Sequence, residues 1–403
     1  MKKSLVVVAL AGAMAFTAAS AETVLYGSIR LGAEVQKNHY SADVTDGKVK
    51  PGSLKENKRG LAMEDFGSRL GLKGSEDLGN GTKVIYQLEW GFNGMNGDAT
   101  GEGFQNRLAY IGLTGDWGTV ALGRQNNPFT ESLNAGTIAD EFNGNYTSAL
   151  RIATGAVFAG PNAKTPDVYA DVKAMPTRVG DSIAYVSPSF SGFSFTVAGI
   201  AKAPKELTEV DFIKMGVAPG QEEQAQYDVA GNKSKGFDIY TVGLNYEHES
   251  GFYAKAAYLG TDLYKNAKRG NAYGLNVGFA NEQFGVNADF GGAERGRKAG
   301  QTQAKISSKG WDVGAQFSFG PDYFSTVRAT VGQSRTDYKT VDAGKDKDKM
   351  TVWAVGFEQK LSTRTKVWAE FAKENRKVKF YDADKNAEKR NNDVFSLGIR
   401  HDF

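Results

Sequence analysis

Apolar and polar residues alternate with a period of two along most of the chain, and the pattern is cleanest at its end, Asp393-Val-Phe-Ser-Leu-Gly-Ile-Arg-His-Asp-Phe403. Phe395, Leu397, Ile399, His401 and Phe403 share one face, while Ser396, Gly398, Arg400 and Asp402 share the other. Successive side chains of a strand point to opposite sides of the sheet. A mostly apolar face backed by a polar one is what a lipid-exposed strand lining an aqueous interior requires. The last strand therefore reads as the seam of a closed barrel.

Other segments repeat the theme. Val84, Tyr86, Leu88, Trp90 and Phe92 alternate with Lys83, Gln87 and Glu89, and Trp311, Val313, Ala315, Phe317 and Phe319 alternate with Asp312, Gln316 and Ser318. Short links rich in Gly, Pro, Asn, Asp and Ser fall at 76–81, 115–118, 187–192, 247–251, 280–283, 320–322 and 361–364, as tight turns require. Between them lie long polar links at about 35–65, 94–104, 126–177, 204–235, 262–268, 293–307, 335–348 and 376–390. Seven short turns plus the closing chain ends imply sixteen strands. The predicted fold is all-β, a transmembrane antiparallel 16-stranded barrel with short periplasmic turns and long extracellular loops. That size leaves an aqueous channel. A soluble sandwich also alternates, but it does not alternate short and long connections so regularly.

Lys2 and Lys3, the apolar stretch Leu5–Phe16 and the small residues Ala19-Ser20-Ala21 have the build of a secretory leader. The apolar run is shorter than the roughly 20 residues a spanning helix needs. The expected division is a signal peptide at 1–21 and a barrel at 22–403. Removing the leader takes Lys+Arg from 49 to 47 against 46 Asp+Glu, so the net charge falls from +3 to +1. Nothing in that balance calls for nucleic acid. Cysteine is absent, which excludes disulfides and thiolate metal sites. The negative mean hydropathy, −0.42, fits a barrel whose apolar residues occupy alternate positions.

Tyr26-Gly27, Ser68-Arg-Leu-Gly-Leu-Lys-Gly-Ser-Glu-Asp-Leu-Gly79, Asn106-Arg-Leu-Ala-Tyr-Ile-Gly-Leu-Thr-Gly115, Gly118-Thr-Val-Ala-Leu-Gly-Arg124, Arg178-Val-Gly-Asp-Ser-Ile-Ala-Tyr-Val-Ser-Pro-Ser-Phe-Ser-Gly-Phe193 and Leu397-Gly-Ile-Arg-His-Asp-Phe403 together carry a resemblance. The chain resembles the general porins of Gram-negative bacteria, most of all their neisserial and β-proteobacterial branch. The resemblance implies a homotrimer of outer-membrane barrels, each narrowed by an infolded third loop, passing ions and small hydrophilic solutes by passive diffusion without a cofactor. It also implies contact with outer-membrane lipid and lipopolysaccharide, and assembly machinery that recognises the C-terminal strand, with Phe403 as the signal.

In that family the third loop carries an acidic Pro-Glu-Phe-Gly-Gly motif facing a ladder of arginines. Here the candidate loop, 126–177, contains Ala139-Asp-Glu-Phe-Asn-Gly144, so Asp140 and Glu141 take the acidic role, with Asp140 replacing Pro and Asn143 replacing Gly. Motif correspondence selects Arg69, Arg107 and Arg178 for the basic wall. Ser28 stands where some relatives carry lysine, and Arg30, one pleat further on, is the available substitute. Strand parity tests this separately. With Leu70 and Leu72 toward lipid, Arg69 faces the lumen, and Ile183 with Tyr185 imply the same for Arg178. Arg30 lies opposite Leu25, Ile29 and Leu31. Parity leaves Arg107 open, because Leu108/Tyr110 and Ile111/Leu113 both offer apolar faces. Arg124 shares parity with Val120 and Leu122 and is expected outward, toward a trimer interface. An arginine surplus over the loop carboxylates predicts a mild anion preference.

Three alternatives bear on function. Catalysis at the rim lacks material: His39, His248 and His401 lie in a long loop, a short turn and the closing strand, and none has a nucleophile setting. A substrate-specific channel would draw on Phe129, Phe142, Tyr146, Phe158 and Tyr169 of the third loop as an aromatic track. An added adhesive role for the surface loops is compatible with a rigid scaffold. The run Asp342–Lys349 lacks calcium-loop spacing and reads as a solvated loop tip. Asn145-Tyr-Thr147 is a formal glycosylation acceptor of little weight in this setting.

Overall fold

The computed structural model describes residues 22–45, 48–95, 103–134, 136–144, 146–159, 174–201, 236–262, 267–298, 305–339, 344–379 and 387–403. The expected leader, Asn145 and Tyr169 lie outside them. The strands are β1 (Glu22–Thr45), β2 (Lys48–Asp65), β3 (Arg69–Asp77), β4 (Lys83–Gly91), β5 (Gln105–Gly115), β6 (Gly118–Asn126), β7 (Arg178–Val186), β8 (Phe193–Ile200) and β9 (Ile239–Glu247). They continue as β10 (Phe252–Thr261), β11 (Ala267–Ala280), β12 (Phe284–Arg297), β13 (Lys305–Phe319), β14 (Ser325–Lys339), β15 (Lys345–Lys360), β16 (Thr365–Lys379) and β17 (Ala387–Asp402).

All pairings are antiparallel, and β1 meets β17 in the register Ser28↔Asp402 to Ser41↔Lys389, so the sheet closes on itself. The final residue completes the seam: Gly27 N donates to the Phe403 carbonyl at 3.0 Å and Phe403 N donates to the Gly27 carbonyl at 3.1 Å. Closure leaves no strand edge, which is obligatory in a solvent that offers no hydrogen bonds. The lower part of β1 pairs with β3 and its upper part with β2, so β2 and β3 are two halves of one stave and the barrel has sixteen. The stave breaks at Phe66–Ser68. There Asp65 Oδ1 accepts from Gly67 N (2.8 Å) and Ser68 N (2.6 Å), and Gly67 takes φ +96°. Ser68 Oγ accepts from Arg30 N at 2.9 Å. The break thus couples the backbone beside Arg30 to the start of the Arg69 strand.

The outward faces carry the apolar belt, including Leu397, Ile399, Val313, Val355, Leu275 and Leu244, all exposed. The turns fall where expected. The strands, however, run further up than the hydrophobic pattern suggests. Residues read as the first long loop form a hairpin of β1 with β2, and Lys345–Lys349, read as a loop tip, begin β15. In that segment the alternation is of lysine with aspartate, a period of two that a hydrophobic scale does not register. Consequently β11–β17 span 14 to 16 residues whereas β3–β10 span 8 to 11, and one side of the barrel stands taller.

Candidate functional site

The third loop leaves β6 at Asn126 and returns at Arg178, and its two feet are stitched together by Asn127. Asn127 N donates to the Thr177 carbonyl and its Nδ2 to the Pro176 carbonyl, each at 2.8 Å. Its Oδ1 accepts from Phe129 N at 3.1 Å and so caps α1 (Pro128–Asn134), which has proline in its first turn, where no amide donor is needed. α1 packs inside the barrel on β8–β11, and α2 (Ala149–Gly155) packs on β11–β15. Phe129, Leu133, Ala149, Ala156, Val157 and Met175 are fully buried against Leu259, Ala272, Ala293, Ile306 and Tyr338 of the wall. The main apolar core is therefore the seat of this loop. Gly274 and Gly314 make the fit possible: a Cβ on either would come within 2.6 Å of Leu133 Cδ1 or 2.5 Å of Ile138 Cβ.

Polar wall residues fasten the loop at defined points. Asp312 accepts from Ala149 N (3.0 Å) and Leu150 N (2.6 Å), placing a carboxylate at the start of α2, where Ser148 also caps Arg151 N. Asn276 Nδ2 donates to the Leu133 carbonyl at 2.7 Å, and Asn287 Oδ1 accepts from Ile138 N at 2.9 Å. The acidic tip is a 3-10 turn, Ile138–Glu141. Arg328 Nη1 donates to the Glu141 carbonyl at 2.9 Å, and Glu370 accepts from Asn143 N (3.0 Å), Asn143 Nδ2 (3.0 Å) and Gly144 N (2.7 Å). Asn143 Nδ2 also reaches Glu358 at 3.1 Å. Where the resemblance leads one to expect glycine, this chain uses the asparagine side chain to fix the tip. Glu358, Glu370, Arg328 and Lys366 neutralise one another, with Lys366 Nζ 2.7 Å from Glu358.

Held this way, Asp140 and Glu141 are exposed to the lumen. The barrel wall enclosing the lumen thins the water around this surface-accessible side chain, and that and then the adjacent Glu141 push the Asp140 carboxyl up to about 6, with Arg151 pulling it back. Burial and Asp140 push Glu131 of α1 up to about 7, opposed by Lys255. Among the described residues, the loop aromatics do not form a track along the lumen. Phe129 is buried, Phe158 packs on the core, and Phe142 and Tyr146 pack on each other with ring centroids 5.2 Å apart.

The facing wall is built from β1 and β3–β7 with β17. Arg69 Nε lies 3.8 Å from Glu89, and Arg107 Nε donates to Glu89 at 2.6 Å. Glu89 also accepts from the Tyr26 hydroxyl at 3.1 Å. The ambiguity at Arg107 is resolved by a β-bulge: Glu89 pairs with Leu108 but Trp90 pairs with Asn106, so Arg107 is the extra residue and turns inward beside Leu108. Arg30 Nε donates to Ser28 Oγ at 2.9 Å, and Arg30 lies within electrostatic range of Arg69, Arg400 and Arg107 and of the Asp402 carboxylate. Arg178 is within range of Arg107, Glu89, Arg124 and Arg69. The register slips between Ser182 and Val179, where Asp181 has φ +52°, so parity counted from Ile183 crosses an irregularity. Arg124 Nε donates to the Asn106 carbonyl at 3.1 Å. Arg400 is held by Asp402 at 2.8 Å.

Glu89, Asp312, Arg328, Glu358, Lys366, Glu370 and Arg400 are site residues that the motif correspondence does not supply. Their common signal is a charged side chain at an inward position of an otherwise apolar strand.

The family model for Gram-negative porins matches residues 5–379. The chain belongs to that family. It is 32% identical over 257 residues to the major outer membrane protein P.IB of Neisseria gonorrhoeae, covering 64% of this chain and 56% of the relative. With the P.IB protein of Neisseria lactamica the figures are 33%, 259 residues, 64% and 58%. The porin thus spans little more than half the length of these curated relatives. Its backbone is similar to that of the anion-selective porin from Comamonas acidovorans, at TM-score 0.64 and 18% identity over 95% of this chain and 100% of the other. It is also similar to the trimer form of the Vibrio cholerae outer membrane protein OmpT, at TM-score 0.56 and 10% identity over 96% and 100%. Membership places the porin in the outer membrane.

Proposed function

We propose that the porin is a general diffusion channel for ions and small hydrophilic solutes, mildly anion-preferring, working as a homotrimer. The constriction lies between Asp140 and Glu141 on the loop and Arg30, Arg69, Arg107 and Arg178 on the wall. Arg124 sits at the trimer interface, and Phe403 serves assembly as well as closure.

The observation that carries this reading is how unevenly the lumen charges are compensated. Beneath the loop, Arg328 and Lys366 are matched by Glu358 and Glu370. On the open wall Glu89 serves both Arg69 and Arg107 and Asp402 serves Arg400, while Arg30 and Arg178 form no ion pair among the described residues. Fixed cations facing a water-filled gap raise local anion concentration, and the two loop carboxylates offset them only in part. The anion selectivity of the Comamonas porin is consistent with this balance.

The test is the reversal potential of the refolded protein in a planar bilayer under a KCl gradient, recorded with single-channel conductance. Conductance in steps of three with an anion-favouring potential is expected. Arg69→Ala should fold normally and move the potential toward cations. A cation-favouring wild type would refute the charge assignment, and a folded barrel without conductance would refute the channel.

A further inference from the structure

Two carboxylates meet behind the infolded loop, away from the arginine wall. Asp289 on β12 stands directly opposite Asp312 on β13, and Asn276 on β11 stands opposite Asp289. All three are at most 3% exposed. Directly opposed side chains on neighbouring strands have Cβ atoms about 4.5–5.5 Å apart, and like charges there destabilise the sheet. Asp312 is answered by the first amides of α2, which take both its oxygens. Asp289 is answered on one side only: its Oδ2 accepts from Asn287 Nδ2 at 3.0 Å, whereas its Oδ1 has no hydrogen-bond partner among the described residues.

Two neighbouring oxygens share that condition. Asn276 Nδ2 is committed to the Leu133 carbonyl, which fixes the amide, and its Oδ1 has no partner among the described residues. Thr137 occupies the N-cap position of the tip turn, yet its buried hydroxyl makes no cap bond and is likewise without a partner. The next amide, Ile138 N, donates to Asn287, the residue that also holds Asp289. The bend between α1 and the tip is thereby set against the carboxylate pair, and Tyr146 further along the loop lies within electrostatic range of Asp312 and Asp289. Lys255, opposite Asn276, is within range of Glu247, Glu131 and Asp289. Its ammonium leans one pleat toward the short turns, 4.0 Å from Glu247 and 5.3 Å from the centre of the Tyr253 ring.

The chemistry of these atoms narrows what they hold. One carboxylate oxygen, one amide oxygen and one hydroxyl oxygen are buried together, and a buried carboxylate oxygen is costly until it is paired. Hard cations take such oxygens. No three His, Cys, Asp or Glu side chains converge among the described residues, and the absence of imidazole and thiolate argues against zinc and the softer metals. Magnesium demands a near-ideal octahedron and keeps several waters, for which an enclosed site under a packed loop is poorly suited, whereas calcium accepts an irregular mixed set of oxygens.

We propose that Asp289, Asn276 and Thr137 hold a calcium ion, with the Asp312 charge facing it from the next strand, and that the ion pins the bend between α1 and the acidic tip to the wall. Full-length refolded protein in neutral detergent is stripped with EDTA and titrated calorimetrically with Ca²⁺, and in parallel with Mg²⁺ and Na⁺, at constant ionic strength. The thermal midpoint and the hydrogen exchange of the Ile138 amide are read on the same samples. Calcium should bind once per chain, raise the midpoint and slow that amide. Losing a supporting group costs a metal site about 10–100-fold in affinity, so Asp289→Asn and Thr137→Val should each bind calcium about tenfold more weakly or worse. Without calcium, Asp289→Asn should melt no lower than the wild type, because the like-charge contact with Asp312 is relieved. Asp322→Asn, on a short turn, should bind as the wild type does. A midpoint and an Ile138 amide that do not respond to calcium overturn the proposal, as does equal calcium binding by the wild type and Asp289→Asn. Wild-type affinity in Thr137→Val, which alters no charge, overturns the coordination by the loop, and a sodium response as large as that of calcium overturns the choice of ion.

Discussion

Glu370→Ala tests whether the acidic tip is placed by the wall. Glu370 is almost fully buried and accepts from Asn143 N, Asn143 Nδ2 and Gly144 N at 2.7–3.0 Å, with Arg328 at 3.8 Å. Hydrogen bonds to a charged group are worth about 1.5–3 kcal/mol each, so three give a gross figure of about 5–9 kcal/mol. The carboxylate's own desolvation offsets part of this, and truncating one member of a buried ion cluster costs about 3–5 kcal/mol. At about 1.4 kcal/mol per factor of ten, even the lower figure raises the released-tip population roughly a hundredfold. The barrel's interstrand hydrogen bonds are untouched, so folding should persist. The expected readouts are frequent flickering between conductance levels and faster hydrogen exchange at the Asn143 and Gly144 amides. Glu370→Gln retains one acceptor oxygen and should fall between the two. If the alanine variant showed wild-type current noise and wild-type exchange at those amides, the wall could not be what holds the tip.

Two further outcomes follow from the same geometry. Asp140 and Glu131 carry raised carboxyl values of about 6 and about 7, so both are charged at pH 8 and take up protons as pH falls through those values, which removes negative charge from the loop. Anion preference should therefore rise on acidification from pH 8 to pH 5, measured as reversal potential, and Asp140→Asn should flatten the acidic part of the curve; a pH-independent potential in the wild type would contradict it. On the outer face, Leu397→Arg should lower stability in lipid by about 2–4 kcal/mol if the site lies near the bilayer midplane, read from urea unfolding of protein inserted in vesicles. A loss no larger than that of Leu397→Ala would mean the face is not in lipid.

A period of two is a local property of the backbone, so the sequence alone determined where the strands lie and their lipid-facing sides, the seven short turns and the closing role of the last strand, though not how far the strands extend beyond the apolar belt. It also placed Arg69 and Arg30 on the lumen side, because no bulge separates either from its reference residues. The remaining features depend on partners distant along the chain. Arg107 faces inward because of a bulge that exists only in the pairing of β4 with β5. The tip carboxylates hold their place because Glu370, more than two hundred residues away, grips Asn143 and Gly144. Glycines at 274 and 314 look like any other strand glycines until Leu133 and Ile138 are set against them. Side-chain direction propagates residue by residue, whereas the meeting of one strand with another is decided by closure of the whole sheet and by what the infolded loop must pack against.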